Sequence, residues 1–293
     1  MTSKITYFIE YFKFLKNPIS CLLFKFGIKH GIIVNLKKDD LKLKINEIKT
    51  INYLMEVIRS NDIDESFIKY MQKYDSENEI IDVTNDIKIY NPRLYELNLI
   101  FTEYFLDYYS NFPIDYNNRV IIDIGANSGD TALYFASKGA EVYAFEPVKE
   151  YYEMALKNFE LNSKLSENIK IYNKGVSYKT GKISIDSLQS ALGYIKNGTP
   201  YEVDIISLES VMDKIKIDLL KMDCEGCEFE IIENTDLSSF NEIIFEYHSK
   251  IARKNHEKLI KKLENEGFTI KISSVFNYNI DELGLIYAYK TSK

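Results

Sequence analysis

The sequence has few cysteines and histidines. These are Cys21, Cys224, Cys227, His30, His248 and His256. Three cysteines do not provide the disulfide framework typical of a small secreted domain. The sequence also has no second C-x-x-C and no H-x₃-H pair that would complete a zinc site with Cys224 and Cys227. A structural, a redox and a metal-binding role all stay open for these two thiols.

Long apolar runs and strongly basic stretches are also missing. No uninterrupted apolar run approaches the roughly 20 residues that span a bilayer, and no secretory signal with a small-residue cleavage site is recognisable. With 37 Lys and Arg against 44 Asp and Glu, the formal charge is −7, so nucleic acid is not an expected partner. We therefore predict a cytoplasmic protein. A peripheral membrane contact through the aromatic residues 5–27 and a homo-oligomer remain open, although packing of this segment against protein is the simpler explanation.

A glycine turn follows an apolar strand in the middle of the chain. Residues 119–131 contain a strand ending in Asp123, a turn with Gly125 and Gly129, and the start of a helix predicted over 131–137. Ligands of open α/β sheets bind at such a strand end, where glycine permits close approach and the helix N-terminus attracts anions. The third glycine of the dinucleotide pattern G-x-G-x-x-G is missing. S-adenosylmethionine fits better than a pyrophosphate, because it has a sulfonium for Asp123 and a carboxylate for the helix.

The next predicted strand also ends in an acidic residue. Residues 141–145 lead into Glu146, whose carboxylate can accept hydrogen bonds from both hydroxyls of a ribose. Either motif alone also fits an acidic strand end before an ordinary turn. Together, at the spacing of a βαβ unit, they predict a nucleoside site.

Alternating helices and strands predict the fold class. Helices are predicted over 149–162 and 254–266, the second ending at Gly267. The first is expected to bury Tyr152, Ala155, Leu156 and Phe159. Further strands are predicted at 169–172, 181–185, 201–206, 217–222, 242–245, 269–275 and 285–289. We predict an α/β fold with a doubly wound, mostly parallel seven-stranded sheet whose C-terminal strand is antiparallel, the last two strands forming an antiparallel edge.

Residues 1–110 are predicted to form a small α+β appendage, and residues 111–293 the main domain. In the appendage, the aromatic segment is expected to end or kink at Asn17-Pro18. Hairpins are predicted at 31–45 and 80–90, and helices at 48–60, 65–73 and 97–109. In the main domain, the polar loop 189–198 is expected to face the substrate.

Four motifs of the main domain are specific when taken together. They are Ile-Asp-Ile-Gly-Ala-Asn-Ser-Gly-Asp-Thr (122–131), Ala-Phe-Glu-Pro (144–147), Leu-Leu-Lys-Met-Asp-Cys-Glu-Gly-Cys-Glu (219–228) and Ile-Ile-Phe-Glu-Tyr-His (243–248). This set, and above all K-x-D-x-E-G-x-E at 221–228, resembles the FkbM-type family of S-adenosylmethionine-dependent methyltransferases. The resemblance implies a class I methyltransferase fold. It also implies methyl transfer to a hydroxyl of a sugar, glycan, lipid or small metabolite.

The resemblance implies roles for individual residues as well. The cofactor-binding residues would be Asp123, Gly125, Asn127, Ser128, Gly129, Glu146, Pro147, Asn173, Lys174 and Asp223. The catalytic candidates are Asp223, Glu225, Glu246 and His248. A base that takes the hydroxyl proton adds about 10²- to 10⁴-fold to the rate. His248 is the natural base near neutral pH. Asp223 and Glu225 are alternatives if burial raises the pKa of their carboxyl groups.

Several alternatives stay open. The same fold supports nitrogen or carboxyl methylation, and it also supports a non-catalytic nucleoside-binding module. A nicotinamide-dependent oxidoreductase is disfavoured by the missing glycine. We expect no bound metal, although Glu225, Glu228, Glu246 and His248 offer donors to a divalent cation. The expected partner is a small-molecule, glycan-linked or lipid-linked acceptor.

Overall fold

The computed structural model describes residues 112–185, 201–274 and 279–290, and shorter pieces of the first 111 residues. These pieces are 11–30, 32–35, 37, 42–45, 74–75, 78–84, 86–90, 104 and 109. The chain divides into two compact units, Met1–Asn111 and Phe112–Lys293. The loop 189–198 and the helices predicted at 48–60 and 65–73 lie outside the described residues, as does the helix at 97–109 apart from Tyr104 and Tyr109.

The described part of the first unit contains two small antiparallel sheets. Its elements are α1 (Pro18–Lys25), β1 (Ile32–Asn35), β2 (Lys42–Ile45), β3 (Tyr74–Asp75), β4 (Ile80–Asp82) and β5 (Lys88–Tyr90). Strand β1 pairs with β2, and β4 lies between β3 and β5, which confirms both predicted hairpins. Pro18 starts helix α1, because proline is tolerated at the first helical position.

The second unit carries the remaining elements. In chain order they are β6 (Val120–Ile124), α2 (Asp130–Ser137), β7 (Glu141–Phe145), α3 (Lys149–Leu161), α4 (Ser163–Ser166), β8 (Ile169–Tyr172), β9 (Gly175–Ser177), β10 (Gly181–Ile185), β11 (Tyr201–Ser207), α5 (Leu208–Met212), β12 (Leu219–Met222), α6 (Cys227–Asn234), β13 (Glu242–His248), α7 (Ser249–Ala252), α8 (Glu257–Asn265), β14 (Thr269–Ser274) and β15 (Leu283–Tyr289). None of the described helices is long and apolar enough to cross a membrane.

Seven of these strands form the main sheet, in the order β14-β15-β13-β12-β6-β7-β8. Strand β15 is antiparallel to both of its neighbours, β13 and β14, and the other pairs are parallel. The predicted mostly parallel, seven-stranded class I methyltransferase fold with an antiparallel C-terminal strand is confirmed. That strand lies one position inside the edge, because β14 pairs with its outer side.

Two predicted strands lie outside the main sheet. Strand β11 pairs with β10 along one side and with β9 along the other. Strand β9 has only three residues and was not predicted. The result is a separate three-stranded sheet, β10-β11-β9.

The core lies along the central strands. All four residues of β12 are buried, as expected for a parallel strand covered on both faces. Helix α3 buries Tyr151, Met154, Ala155, Asn158 and Phe159, which follow the i, i+3, i+4, i+7, i+8 spacing of one helix face. Burial of Ala155 and Phe159 is therefore confirmed. The expectations for Leu156 and Tyr152 are wrong, since Leu156 is 43% exposed and Tyr152 is only partly buried.

Two element boundaries affect the site. Strand β13 continues to His248, three residues beyond the predicted end, so Glu246 and His248 lie on a strand. The predicted helix 254–266 begins later, at Glu257, and the short helix α7 precedes it. Gly267 has φ +88 and its N–H donates to the carbonyl of Glu264 at 3.0 Å, which confirms the predicted cap.

Candidate active site

The turns after β6 and β12 touch each other. Strands β6 and β12 are parallel neighbours, with Asp123 opposite Lys221. Gly125 has φ +79, and a Cβ on it would lie 1.8 Å from the carbonyl oxygen of Asp223. Only glycine allows this approach, so its first role here is contact between two turns of the same chain. The contact places the predicted cofactor turn beside Asp223.

Gly129 and Ser128 attach this turn to helix α3. Gly129 has φ +78, and a Cβ there would lie 2.7 Å from the ring of Phe159. Asn158 donates its side-chain N–H to the carbonyl of Ser128 at 2.8 Å. The Ser128 hydroxyl donates to Asp130 at 3.2 Å. These contacts hold the turn and the start of α2 in one conformation.

Asp123 is fully buried and forms an ion pair. Its Oδ1 lies 2.8 Å from Lys221 Nζ, and the two side chains are 0% and 3% exposed. Burial raises the pKa of Asp123, and the charge of Lys221 opposes that shift. The sequence predicts a cationic ligand at Asp123. The structure places a cation of the chain itself there.

Glu146 is buried at the end of β7. Its Oε2 accepts the backbone N–H of Asn127 at 2.9 Å, and its Oε1 accepts that of Val148 at 2.8 Å. Burial raises the pKa of Glu146 to about 7, although both hydrogen bonds oppose this shift. Each oxygen keeps acceptor capacity, because a carboxylate oxygen has two lone pairs.

The end of β8 closes this side of the site. The side-chain amide of Asn173 donates to the carbonyls of Glu146 and Pro147, at 2.9 and 3.1 Å. Lys174 follows and is exposed. The structure therefore brings Asn173, Glu146 and Pro147 together, and leaves Lys174 at the surface.

Two buried acceptor atoms at this edge lack a hydrogen-bond partner among the described residues. They are Asp123 Oδ2 and Asn127 Oδ1. A buried polar atom without a partner costs about 1–3 kcal/mol. Asn127 is also held at φ +47, a region that few residues other than glycine adopt. The pair fits a ligand that brings N–H or O–H donors, as the amino group and ribose hydroxyls of S-adenosylmethionine would.

A cluster of three carboxylates surrounds His248 beside this turn. Its Nε2 lies 3.5 Å from an oxygen of Glu225, 3.5 Å from Glu246 and 3.8 Å from Asp223. Asp223 and Glu225 follow β12, and the other two lie on the neighbouring strand β13. All four predicted catalytic residues therefore meet at one point. His248 itself is only 6% exposed.

Glu228 contacts His248 on the side of the ring opposite the three carboxylates. It is fully buried. One oxygen accepts the backbone N–H of His248 at 2.7 Å and lies 3.3 Å from its Nδ1. The other accepts the N–H of Gly226, the residue before helix α6, at 2.9 Å. This arrangement directs Nε2 of His248 toward the three carboxylates.

The cluster alters the protonation of its members. Burial alone would lower the pKa of His248, but the hydrogen bond to Glu228 and the nearby carboxylates outweigh it and raise the pKa to about 10. His248 is therefore protonated at neutral pH, which corrects the expectation that it is the base. Burial raises the pKa of Glu225 to about 7 and that of Glu246 to about 8. The Glu225 side chain is 34% exposed, so water screens part of its shift.

The two cysteines of the turn are bonded to each other. Cys224 and Cys227 form a disulfide with their Cα atoms 5.4 Å apart. The turn between them contains Glu225 at φ +55 and Gly226 at φ +109. A backbone held in this region at a non-glycine residue is strained and often functional. The disulfide, which was not predicted, closes the turn that presents Glu225 to His248.

Two residues of the site were not predicted in their observed roles. Lys221 belongs to a quoted motif but received no role, although a charged residue within an apolar strand is a signal for a buried partner. Glu228 was considered only as a cation ligand. Its contact with His248 depends on how α6 packs against β13, which no local pattern encodes.

Comparisons with known proteins identify the family of this chain. The family model of the Methyltransferase FkbM domain matches residues 123–270. The chain is similar to Methyltransferase sdnD from Sordaria araneosa, with 27% identity over 223 residues, covering 60% of this chain and 83% of that protein. Among solved structures it is similar to methyltransferase FkbM from Methylobacillus flagellatus KT, with 13% identity, a TM-score of 0.42 and coverage of 81% of this chain and 60% of that one. It is also similar to precorrin-6y C5,15-methyltransferase from Geobacter metallireducens GS-15, with 14% identity, a TM-score of 0.39 and coverage of 62% of this chain and 85% of that one.

Because the family model spans half of the chain and includes both turns of the site, this protein belongs to the FkbM methyltransferase family.

Proposed function

We propose that this methyltransferase uses S-adenosylmethionine and methylates a hydroxyl group. The observation that carries the proposal is the contact of Gly125 with the backbone of Asp223. It joins the turn proposed to bind the cofactor to the carboxylate cluster proposed to activate the acceptor. Both parts lie at the carboxyl ends of parallel strands, where such sheets bind their ligands.

The cofactor would be held along β6 and β7. We assign the ribose to Glu146 and the amino-acid head to the turn after Asp123. The acceptor atoms Asp123 Oδ2 and Asn127 Oδ1 have no hydrogen-bond partner among the described residues and could accept N–H or O–H groups of the cofactor. When bound, S-adenosylmethionine supplies a methyl group on a positively charged sulfur, already activated toward an oxygen nucleophile. Most of the rate then comes from alignment, which can reach effective molarities of about 10⁵ M or more.

The acceptor would be activated by the cluster. The pKa of Glu225 is raised to about 7 and that of Glu246 to about 8, so either carboxylate can take the hydroxyl proton near neutral pH. A base works best when its pKa lies near the working pH. The protonated His248 orients both carboxylates through its Nε2.

A polar cleft includes the residue that follows His248 in the chain. It has a volume of about 450 Å³, and it is lined by residues from Ser249, which follows His248, to the segment around Asp281. Every lining residue is polar or charged. We propose that a polar acceptor, such as a hydroxyl-bearing metabolite or glycan, enters here.

Calorimetric titration with S-adenosylmethionine and its demethylated product tests the cofactor. We expect micromolar binding to the wild type and at least tenfold weaker binding to Glu146→Ala. Glu141→Ala is the matched control, because it lies at the far end of the same strand and pairs with Lys170 at the surface. Binding of reduced nicotinamide dinucleotide in place of the sulfur nucleosides would contradict the proposal.

Asp223→Asn tests the acceptor side. We expect it to bind S-adenosylmethionine as the wild type does and to turn over about 10²-fold more slowly, since the cluster loses a charge beside the base. Turnover is measured with trial acceptors that carry a hydroxyl, an amine or a carboxylate. Methylation of amines or carboxylates only would overturn the assignment to hydroxyl groups, and near-normal turnover would remove Asp223 from the mechanism.

A further inference from the structure

We propose that Asp223, Glu246 and His248 form a binding site for one divalent transition-metal ion of the Mn²⁺ type, which leaves Glu225 as the carboxylate that takes the hydroxyl proton. Occupancy of the site is independent of the proposed function. Its role, which is to position the acceptor oxygen, rests on that function. The proposal replaces our expectation from the sequence that no metal is bound.

The spacing of the donor atoms fits a shared ion. One oxygen each from Asp223 and Glu246 and one ring nitrogen of His248 all lie within 4.8 Å of one another. The distances from Nε2 to Glu246 and Asp223 are 3.5 and 3.8 Å. Donors about 2.0–2.3 Å from one ion lie about 3.0 Å apart at right angles, about 3.5 Å apart at tetrahedral angles and about 4.3 Å apart when opposite. Both distances from Nε2 fall within this range.

The histidine is oriented as a metal ligand. Glu228 is fully buried and contacts Nδ1 of His248, which leaves Nε2 facing the carboxylates. Metal-binding histidines are usually fixed in this way by a carboxylate on the other ring nitrogen. Because both oxygens of Glu228 accept backbone N–H groups, this residue acts behind the site and does not join the donors.

The charge of the cluster also calls for a cation. Within the described residues, the ion pairs of Asp223, Glu225 and Glu246 are all made with His248. Without an ion, the imidazolium of His248 balances only one of these three carboxylates, and burying uncompensated like charges is unfavourable. A divalent ion would displace the proton from Nε2, because a ligating imidazole is neutral, and its two charges would offset more of the carboxylate charge than that proton does.

The donor set indicates which ion is preferred. Carboxylate oxygens suit Mg²⁺, Ca²⁺ and Mn²⁺, whereas imidazole suits later transition metals. A site with one imidazole and two carboxylates therefore favours an ion such as Mn²⁺. Cys224 and Cys227 offer no thiolate, because they are bonded to each other.

One side of the site is open. The side chains of Asp223 and Glu225 are 32% and 34% exposed, whereas that of His248 is 8% exposed. Catalytic metal sites keep a position free for water or substrate. The open side is where the acceptor oxygen would bind.

Titration of the chelator-treated full-length protein with Mn²⁺ tests the site, with free Mn²⁺ followed by electron paramagnetic resonance. We expect one Mn²⁺ per chain. Asp223→Asn and Glu246→Gln should each weaken binding at least tenfold, while circular dichroism shows that they fold. Glu230→Gln is the matched control, because it removes an exposed carboxylate on α6 and should leave binding unchanged.

The outcomes separate this proposal from the proposed function. Absence of saturable Mn²⁺ binding, or equal weakening in Glu230→Gln and the site variants, would overturn the metal site. If S-adenosylmethionine still binds in that case, the proposed function stands. Specific Mn²⁺ binding to a protein that does not bind S-adenosylmethionine would support the metal site and refute the cofactor.

Discussion

At the scale of single residues, the site depends on groups whose neighbours lie far away in sequence. Gly125 was expected to admit a ligand, and the structure adds a contact with the carbonyl of Asp223. Asp123 was expected to face a ligand cation, and it contacts Lys221. In both cases the residue type indicates a special position, and the fold supplies its partner.

Gly125→Ala should destabilise the protein strongly. The new Cβ would overlap a backbone oxygen at 1.8 Å, and φ +79 is strained for alanine. We expect a loss of about 3 kcal/mol or more in the free energy of unfolding, measured by urea denaturation. Gly181→Ala is the control, because nothing lies within 4 Å of its Cβ position. Equal stability of the two variants would show that the turns can separate at little cost.

At the scale of elements, Glu228 connects helix α6 to strand β13. Its two oxygens accept N–H groups from Gly226 and His248, so one side chain fixes the start of the helix and the end of the strand. The strand is three residues longer than predicted because its pairing with β15 continues to Leu283. Such pairing is not visible in the local sequence of β13.

Glu228→Gln tests this connection. A glutamine has one acceptor oxygen and an NH₂ group, so one of the two buried N–H groups loses its partner. We expect a loss of about 1–3 kcal/mol in the free energy of unfolding and a change in the titration of His248 by nuclear magnetic resonance. Glu230→Gln, on the exposed side of the same helix, should change neither quantity. An unchanged His248 titration in Glu228→Gln would mean that the ring does not depend on this carboxylate.

At the scale of the whole molecule, the fold buries acidic groups at one edge of the sheet. Asp123, Glu146 and Glu246 all have a raised pKa, in each case mainly because of burial. Groups of this kind bind protons more tightly in the folded than in the unfolded chain. The stability of the protein should therefore depend on pH.

Glu146 offers the clearest test. Its pKa rises from 4.5 to about 7 on folding, so the folded state keeps a proton that the unfolded state loses. Its contribution to stability is complete below pH 4.5 and disappears as pH rises to about 7, a change of up to about 3 kcal/mol. The charge of Asp123 also raises the pKa of Glu146. The charge of Lys221 and the hydrogen bonds from the N–H groups of Asn127 and Val148 lower it.

The measurement compares urea unfolding of wild type and Glu146→Gln between pH 4.5 and pH 8. Glutamine cannot ionise, so the difference in stability between the two proteins should shift in favour of the variant as pH rises. Contributions from other groups cancel in this difference. Parallel pH profiles would mean that Glu146 keeps an ordinary pKa in the folded protein.

Local sequence determined much of the fold, because apolar period and strand-end chemistry are short-range properties. It placed the strands around Asp123, Glu146 and Asp223 and the cap at Gly267. It also selected Glu225, Glu246 and His248, since polar residues directly after buried strands meet at one edge of a parallel sheet. The buried face of helix α3 was predicted correctly at Ala155 and Phe159 and wrongly at Tyr152 and Leu156, because Tyr151 and Tyr152 offer the same pattern one residue apart.

Tertiary structure alone decided how these residues work. The protonation of His248 depends on the carboxylates of Asp223 and Glu225, which follow β12, and on the buried Glu228. The ion pair of Asp123 with Lys221 arises from the parallel register of β6 and β12, and the place of β15 inside the sheet arises from its pairing with β14. Sequence specifies which groups are present. Their charge and pairing are set by distance and burial, which exist only once the chain has folded.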